Sequence, residues 1–198
     1  MNVKLLLVSS FVLAFGVFAG AQSIDPQKAK ESDLIVANMR RLELLNQILP
    51  LALTRQQINA MLPSIERVRD KMRQLYLTEH DNLLEFQAKA SLAVQDGVGG
   101  KMPDNKLVTD IRAFFQANEV RRMSVVEHNI DIVMPVLVKT LNKGQMKVMA
   151  NSLTLAFFEP DIKPQDANDD IKQRVFVREV LLDPLSYDLL IQMAAKAR

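Results

Sequence analysis

Apolar side chains recur every three or four residues along most of the chain, and almost no segment alternates apolar and polar residues as a strand would. This pattern predicts an all-α fold. The two longest helical patterns cover residues 54–94 and 105–140, on either side of a short glycine-containing segment. Because a short connection makes neighbouring helices antiparallel, we expect a long hairpin in which residue i lies beside a residue near 200 − i.

Each arm of this hairpin carries one internal proline, Pro63 or Pro135. A proline removes an amide donor from the helix, so we expect both arms to be kinked. The apolar positions predict an inward face made of Ile58, Met61, Ile65, Val68, Met72, Leu75, Leu83, Phe86, Ala90 and Ala93 on the first arm, and Ile111, Phe115, Met123, Val126, Ile130, Val133 and Leu137 on the second. The same register predicts an exposed patch of cross-helix ion pairs between Glu79 or Asp81 and Arg121 or Arg122.

Shorter helices flank the hairpin. The first begins at Asp25-Pro26, a cap followed by a proline, and Pro50 ends it near Leu49. After the hairpin we expect a helix from Asn142 to about Leu155, a loop, and two helices over about 169–182 and 185–196. The predicted apolar face of the first helix is Leu34, Ile35, Met39, Leu42, Leu45 and Leu49. We expect the flanking helices, including the C-terminal extension 158–198, or a second copy, to pack along the hairpin in a single all-helical domain over residues 22–198.

Two similar segments begin helices in this scheme. They are Leu53-Thr54-Arg55-Gln56-Gln57 and Leu141-Asn142-Lys143-Gly144-Gln145. Each has a side-chain acceptor three residues before a glutamine, which predicts a capping box, and an apolar residue before the acceptor, which predicts a hydrophobic staple. The structural motif residues are therefore Leu53, Thr54, Gln57, Leu141, Asn142 and Gln145.

The first 21 residues predict a signal peptide. Lys4 gives a positive start, an apolar run of about 14 residues follows, and Ala19-Gly20-Ala21 supplies the small residues that signal peptidase requires. The run is shorter than the roughly 20 residues of a membrane span, so we expect cleavage before Gln22 and prefer it to an uncleaved anchor. The chain has no cysteine, which excludes a lipoprotein anchor. We expect an exported, periplasmic protein.

Composition restricts the function classes further. Loss of Lys4 leaves 24 of the 25 basic residues against 23 acidic ones, a balance that gives no general attraction to nucleic acid. Without cysteine there are no disulfides, so stability depends on packing or association. No segment after residue 21 has an apolar run long enough to span a membrane.

The two motifs and the helical pattern around them resemble the LTxxQ family of periplasmic proteins. That family includes the Spy-type chaperone, an envelope-stress inhibitor and zinc-resistance or heavy-metal-sensor relatives. The resemblance covers residues 45–155 and includes Met61-Leu62-Pro63-Ser64-Ile65-Glu66, but Asn142 replaces the family's threonine and 158–198 has no counterpart. It implies kinked hairpins that pair as a homodimer into a shallow cradle, which in the Spy-type member holds unfolded proteins without ATP.

Candidate catalytic chemistry is sparse. Gly97-Val98-Gly99-Gly100-Lys101 lacks the spacing, hydroxyl residue and preceding strand of a phosphate loop, and residues 166–170 lack the glycine and glutamate that a calcium loop needs. There is no cysteine nucleophile, Gly-x-Ser-x-Gly or His-Glu-x-x-His. His80 and His128 are weak metal candidates, because the hairpin register separates them by roughly 12 Å. We therefore expect no enzyme activity, no cofactor and two surface histidines.

The sequence leaves three functions open. The first is a non-enzymatic helical binding protein, chaperone-like or stress-related, whose partners are unfolded or envelope proteins. The alternatives are a metal-responsive sensor or buffer and a structural envelope scaffold. For the first, the possible client surface is Met61, Met72, Arg67, Arg69, Arg73 and Met123. Methionine repacks readily against varied partners, although core filling and a solvated helix face are the ordinary explanations of these residues.

Overall fold

The computed structural model describes residues 25–163 and 166–196, and these residues form helices and connecting turns with no strand among them. The all-α prediction is therefore confirmed. The helices are α1 (Pro26–Ile48), α2 (Arg55–Val98), α3 (Asn105–Thr140), α4 (Lys143–Asn151), α5 (Asp169–Phe176) and α6 (Ser186–Lys196). Short 3-10 helices occupy Leu49–Leu51 and Leu155–Phe157, and a π-helix over Val177–Leu181 continues α5. Relative to the sequence prediction, α2 extends further, to Val98, and α4 ends earlier, at Asn151.

The predicted signal peptide, residues 1–21, lies outside the described residues. Among the helices that the structure does describe, none is long and apolar enough to cross a membrane. Contacts divide the described chain into two compact units: residues 25–55 with 141–196 form the first unit, and residues 56–140 form the second. That residues 22–198 act as one domain stays a prediction.

The second unit is the predicted antiparallel hairpin of α2 and α3. Side-chain contacts between described residues of the two helices link a residue i to a residue near 200 − i, as the sequence predicts. They include Gln57 to the Thr140 carbonyl (3.1 Å), Lys71 to His128 (2.7 Å), Glu79 to Arg122 (2.7 Å) and the rings of Phe86 and Phe114 (centroids 5.1 Å apart).

The predicted inward face is correct near the open end of the hairpin. Toward the turn it holds for the half-buried Phe86, Ala90, Ala93 and Ile111 and is wrong at three positions. Ile58, Met61 and Val133 are fully buried, as are their apolar neighbours at helical spacing. Toward the turn, Leu83, Phe115 and Met123 are exposed instead, and the more buried residues are Asn82, Phe114 and Asn118. Toward the turn, polar residues occupy some of the positions that continue the buried stripe. A prediction that follows apolar residues alone therefore selects their sequence neighbours, which point about 100° further around each helix.

In the first unit, the apolar face predicted for α1 is also wrong. Leu44 and Ile48 are its buried residues. Exposed positions are Leu34, Ile35, Met39, Leu42 and Leu49, while Leu45 is half-buried. Arg40 accounts for this orientation, because its Nε donates to Asp183 Oδ2 (2.8 Å) and its Nη2 donates to the Glu179 carbonyl (2.9 Å). These bonds turn the Arg40 and Leu44 side of the helix toward the C-terminal segment.

The capping box at Asn142 is confirmed. Its Oδ1 accepts from the Gln145 amide (2.9 Å), and the Gln145 side chain accepts from the Asn142 amide (3.0 Å). Gln145 also donates from Nε2 to the Leu51 carbonyl (2.9 Å), which fixes the turn that follows α1. At the first motif, α2 begins directly after Thr54, at Arg55. A complete capping box at Thr54 stays a prediction.

We predict that Asn142→Ala destabilises the protein by about 1 kcal/mol, because it leaves an amide of the first turn of α4 without its acceptor. Asn142→Thr supplies a hydroxyl acceptor at the same place and is the matched control. Urea titrations followed by circular dichroism would measure both. Equal stability for the alanine and threonine variants would contradict a capping role.

A second prediction concerns Ala52, whose φ of 47° places it in the left-handed region. A side chain is disfavoured there, whereas glycine adopts this conformation readily. We expect Ala52→Gly to be neutral or to stabilise the protein by up to about 1 kcal/mol. Ala60→Gly, at an exposed position within α2, should cost about 1 kcal/mol in the same urea titration. Similar losses in both variants would contradict strain at residue 52.

Candidate functional site

One side of the hairpin carries an apolar cluster, which we call the hairpin face. Helical spacing and the observed register place its members on the same side of α2 and α3. Four of them have 45 to 60% of their surface exposed: Tyr76, Leu83, Phe115 and Met123. Met72 and Val126, both half-buried, continue the face toward the open end of the hairpin. From Met72 to Leu83 it extends about 16 Å along α2.

The opposite side of the hairpin is mainly polar. By the same spacing it presents Lys71, Thr78, Asn82, Glu85 and Lys89 on α2, with Arg121 and His128 on α3. The hairpin is therefore amphipathic across its width. Charged residues border the apolar side too, since Glu119 and the half-exposed Arg122 lie next to Phe115 and Met123 on α3.

The structure corrects part of the predicted client surface. Met61 is fully buried in the hairpin, so its inclusion was wrong, and core filling is its role. Met72 is half-buried and Met123 is about half-exposed, and both belong to the hairpin face. Sequence reasoning missed Tyr76 and placed Leu83 and Phe115 inward. The sequence does contain a signal for these residues: a second set of apolar side chains at helical spacing, displaced by about one residue from the set that is buried.

Two of the three arginines of the predicted client surface pair with acidic residues of their own helix. Arg73 pairs with Asp70 and with Glu66 (3.0 Å), and Arg69 pairs with Glu66 (3.3 Å), all along α2 itself. The acidic residues lie one or two helical turns away and form ion pairs with these arginines on the helix surface. Arg67 lies by helical spacing on the polar side of the hairpin, away from the hairpin face.

A buried ion pair connects the two arms beside the hairpin face. Both carboxylate oxygens of Glu79 accept from Arg122, at 2.7 Å and 2.5 Å, and only 3% of the Glu79 surface is exposed. The sequence predicts this partnership but places it in solvent. Arg121 instead donates to Asn118 (3.2 Å), and no bond joins Arg121 to Asp81 among the hydrogen bonds of the described residues.

The hydrogen bonds with Glu79 raise the pKa of Arg122 above its ordinary value, against the opposing effect of partial burial. A raised pKa means that Arg122 remains charged through the ordinary pH range, and that its contribution to stability is lost only as the pH rises into strong alkali. Asn118 and Asn129 are buried in the same stretch, and Oδ1 of Asn129 accepts no hydrogen bond from the described residues. Polar groups thus occupy inward positions where the sequence predicts apolar ones.

Both histidines are exposed, as expected. His128 Nε2 lies 2.7 Å from Lys71 Nζ. Because an ammonium group can only donate, Lys71 is the donor in this contact. The register places His80 near residue 120 of α3, far from His128, and no group of three or more potential ligand residues is gathered anywhere in the described ranges. The residues predicted as weak metal candidates are therefore not brought together.

We predict that Arg122→Met destabilises the protein by about 2 kcal/mol, because it leaves the buried Glu79 carboxylate without its partner. The value is below that of a fully buried pair, since half of the Arg122 side chain is exposed. The matched control is Arg112→Met, which removes an exposed arginine from the same helix and should cost less than about 0.5 kcal/mol. Thermal unfolding at neutral pH would compare them, and equal losses would contradict the special role of the Glu79 pair.

Comparisons with known proteins add no further restriction. No family model, no curated protein and no solved structure matches the chain. The likeness to LTxxQ proteins therefore rests on the two motif segments and the helical pattern around them.

Proposed function

We propose that this protein is a non-enzymatic helical binding protein of the periplasm that holds apolar segments of unfolded proteins on the hairpin face without nucleotide. The single observation that carries the proposal is the cluster of exposed Tyr76, Leu83, Phe115 and Met123 on one side of a two-helix hairpin. Contiguous exposed apolar surface with a polar border is typical of interaction sites.

The composition of the hairpin face suits varied partners better than one precise partner. Phe115 and Tyr76 offer large apolar area with few rotatable bonds, while Met72 and Met123 adapt their shape to what they contact. A face of about 16 Å accommodates about five residues of an extended chain. Binding of this extent is weak and reversible, which is appropriate for a protein that releases its clients without an energy source.

The charged border supports the same proposal. Arg122 is held by Glu79 but remains half-exposed, and Glu119 lies nearby on α3. Polar groups of an unfolded client can therefore remain hydrated or paired while its apolar side chains contact the face. The signal-like first 21 residues support export to an envelope compartment.

The experiment measures aggregation of a chemically denatured client diluted into buffer, with and without the purified protein and without nucleotide. We expect light scattering to fall at a few-fold molar excess of the protein. The double variant Leu83→Glu with Phe115→Glu should weaken this protection at least fivefold, because it places two charges on the face. Both side chains are exposed, so folding should be retained.

The matched control is Leu77→Glu with Leu84→Glu, which removes two equally exposed leucines from the side of α2 that points away from α3. This control should protect the client as well as the natural protein does. No protection by the natural protein at a several-fold excess would refute the binding function. Equal loss in both double variants would refute the assignment of the site to the hairpin face.

A further inference from the structure

In the first unit, α1 exposes a second apolar stripe on the side opposite Leu44, the residue it buries against its own chain. The stripe consists of Ile35, Met39, Leu42, Asn46 and Leu49, and its four apolar members have 57 to 68% of their surface exposed. Successive members are separated by four, three, four and three residues. This is the a/d repeat of a coiled coil, with Met39 and Asn46 at a positions and Ile35, Leu42 and Leu49 at d positions.

We propose that this stripe is the seam of a parallel homodimer, in which α1 of one chain pairs with α1 of a second copy. A single asparagine at an a position, with leucine at d, is the pattern that specifies two parallel strands in register. The surface is distinct from the hairpin face, and most of it precedes the segment that resembles the LTxxQ family. The inference does not depend on the proposed function.

The flanking residues favour parallel pairing over antiparallel pairing. In the parallel arrangement Asn46 meets Asn46 of the second copy, so that the two amides can bond to each other. In an antiparallel seam each a residue faces a d residue, so Asn46 would lie against Ile35 or Leu42 of the second copy without a partner, which is costly. Parallel pairing also sets Glu43, at an e position, beside the uncharged Asn38, so it brings no like charges together across the seam.

The face widens at the C-terminal end of the seam. A groove of about 550 Å³ lies there, lined by Asn46, Gln47 and Pro50 next to α1 and by Lys147, Val148 and Asn151 of α4. Parallel pairing brings Leu45 of the second copy to the level of Pro50, at the edge of this groove. The seam is only about two heptads long, but α1 is already ordered by its own chain. We therefore expect dissociation in the micromolar range.

The first test is sedimentation equilibrium of the full protein as the host processes it, over micromolar concentrations. We expect a shift from one chain's mass to two. Leu42→Glu should raise the dissociation constant at least tenfold, with the helical circular dichroism unchanged because Leu42 is exposed. Leu83→Glu, on the hairpin face, should leave dimerisation unchanged. A mass of one chain throughout the range, or dissociation caused by Leu83→Glu instead, would overturn the proposal.

The second test uses the absence of cysteine in this chain. Met39→Cys places two thiols across a parallel seam at a separation suited to a disulfide, so oxidised glutathione should convert most of the protein to a covalent dimer. Leu34→Cys, equally exposed but one position off the seam, is the control and should remain largely monomeric on a non-reducing gel. Selective linkage in an Ile35→Cys and Asn46→Cys mixture, with none in Met39→Cys, would show antiparallel pairing and overturn the stated orientation.

Discussion

Each helix of a two-helix hairpin can bury only the stripe of residues that faces the other helix. The rest of its surface stays exposed, and the structure of the hairpin follows from this limit. Near its open end the stripe is apolar, with Ile58, Met61 and Val133 fully buried. Toward the turn, Glu79, Asn118 and Asn82 occupy the inward positions instead. The apolar side chains of that region consequently lie to one side, where no third helix of this unit covers them. The hairpin face is the result of this displacement.

The ion pair between the buried Glu79 carboxylate and Arg122 fixes the alignment of α2 with α3, and with it the place of the displaced apolar residues. A carboxylate with 3% exposure is tolerated because both of its oxygens accept from one guanidinium. A slip of one helical turn between α2 and α3 would break both bonds and leave the charge buried. The pair therefore sets the register that brings Tyr76 level with Met123 and Leu83 level with Phe115. In this way a structural ion pair aligns the two halves of the candidate binding surface.

The same limit holds for α1 in the first unit. This helix has apolar residues around more of its circumference than one contact can bury. Arg40, bonded to Asp183 and to the Glu179 carbonyl, determines which side is covered. The side with Leu44 and Ile48 becomes core, and the heptad side with Leu42 stays exposed. Both units thus present an exposed apolar face, and the hairpin face and the α1 stripe differ in pattern: an irregular cluster suited to varied partners and a regular repeat suited to an identical one.

The sequence by itself determined the all-α class, the ends of α1 and α3, the capping box at Asn142 and the pairing of residue i with 200 − i. These features depend on contacts within a few residues, or on the length of two arms joined by a short turn. Tertiary structure alone decided which stripe of each helix is buried, and with it the hairpin face and the exposed seam of α1. The physical reason is that consecutive residues on a helix are only 100° apart. Where several adjacent positions are apolar, the partner across the contact selects among them, and ion pairs such as Glu79 with Arg122 and Arg40 with Asp183 make that selection.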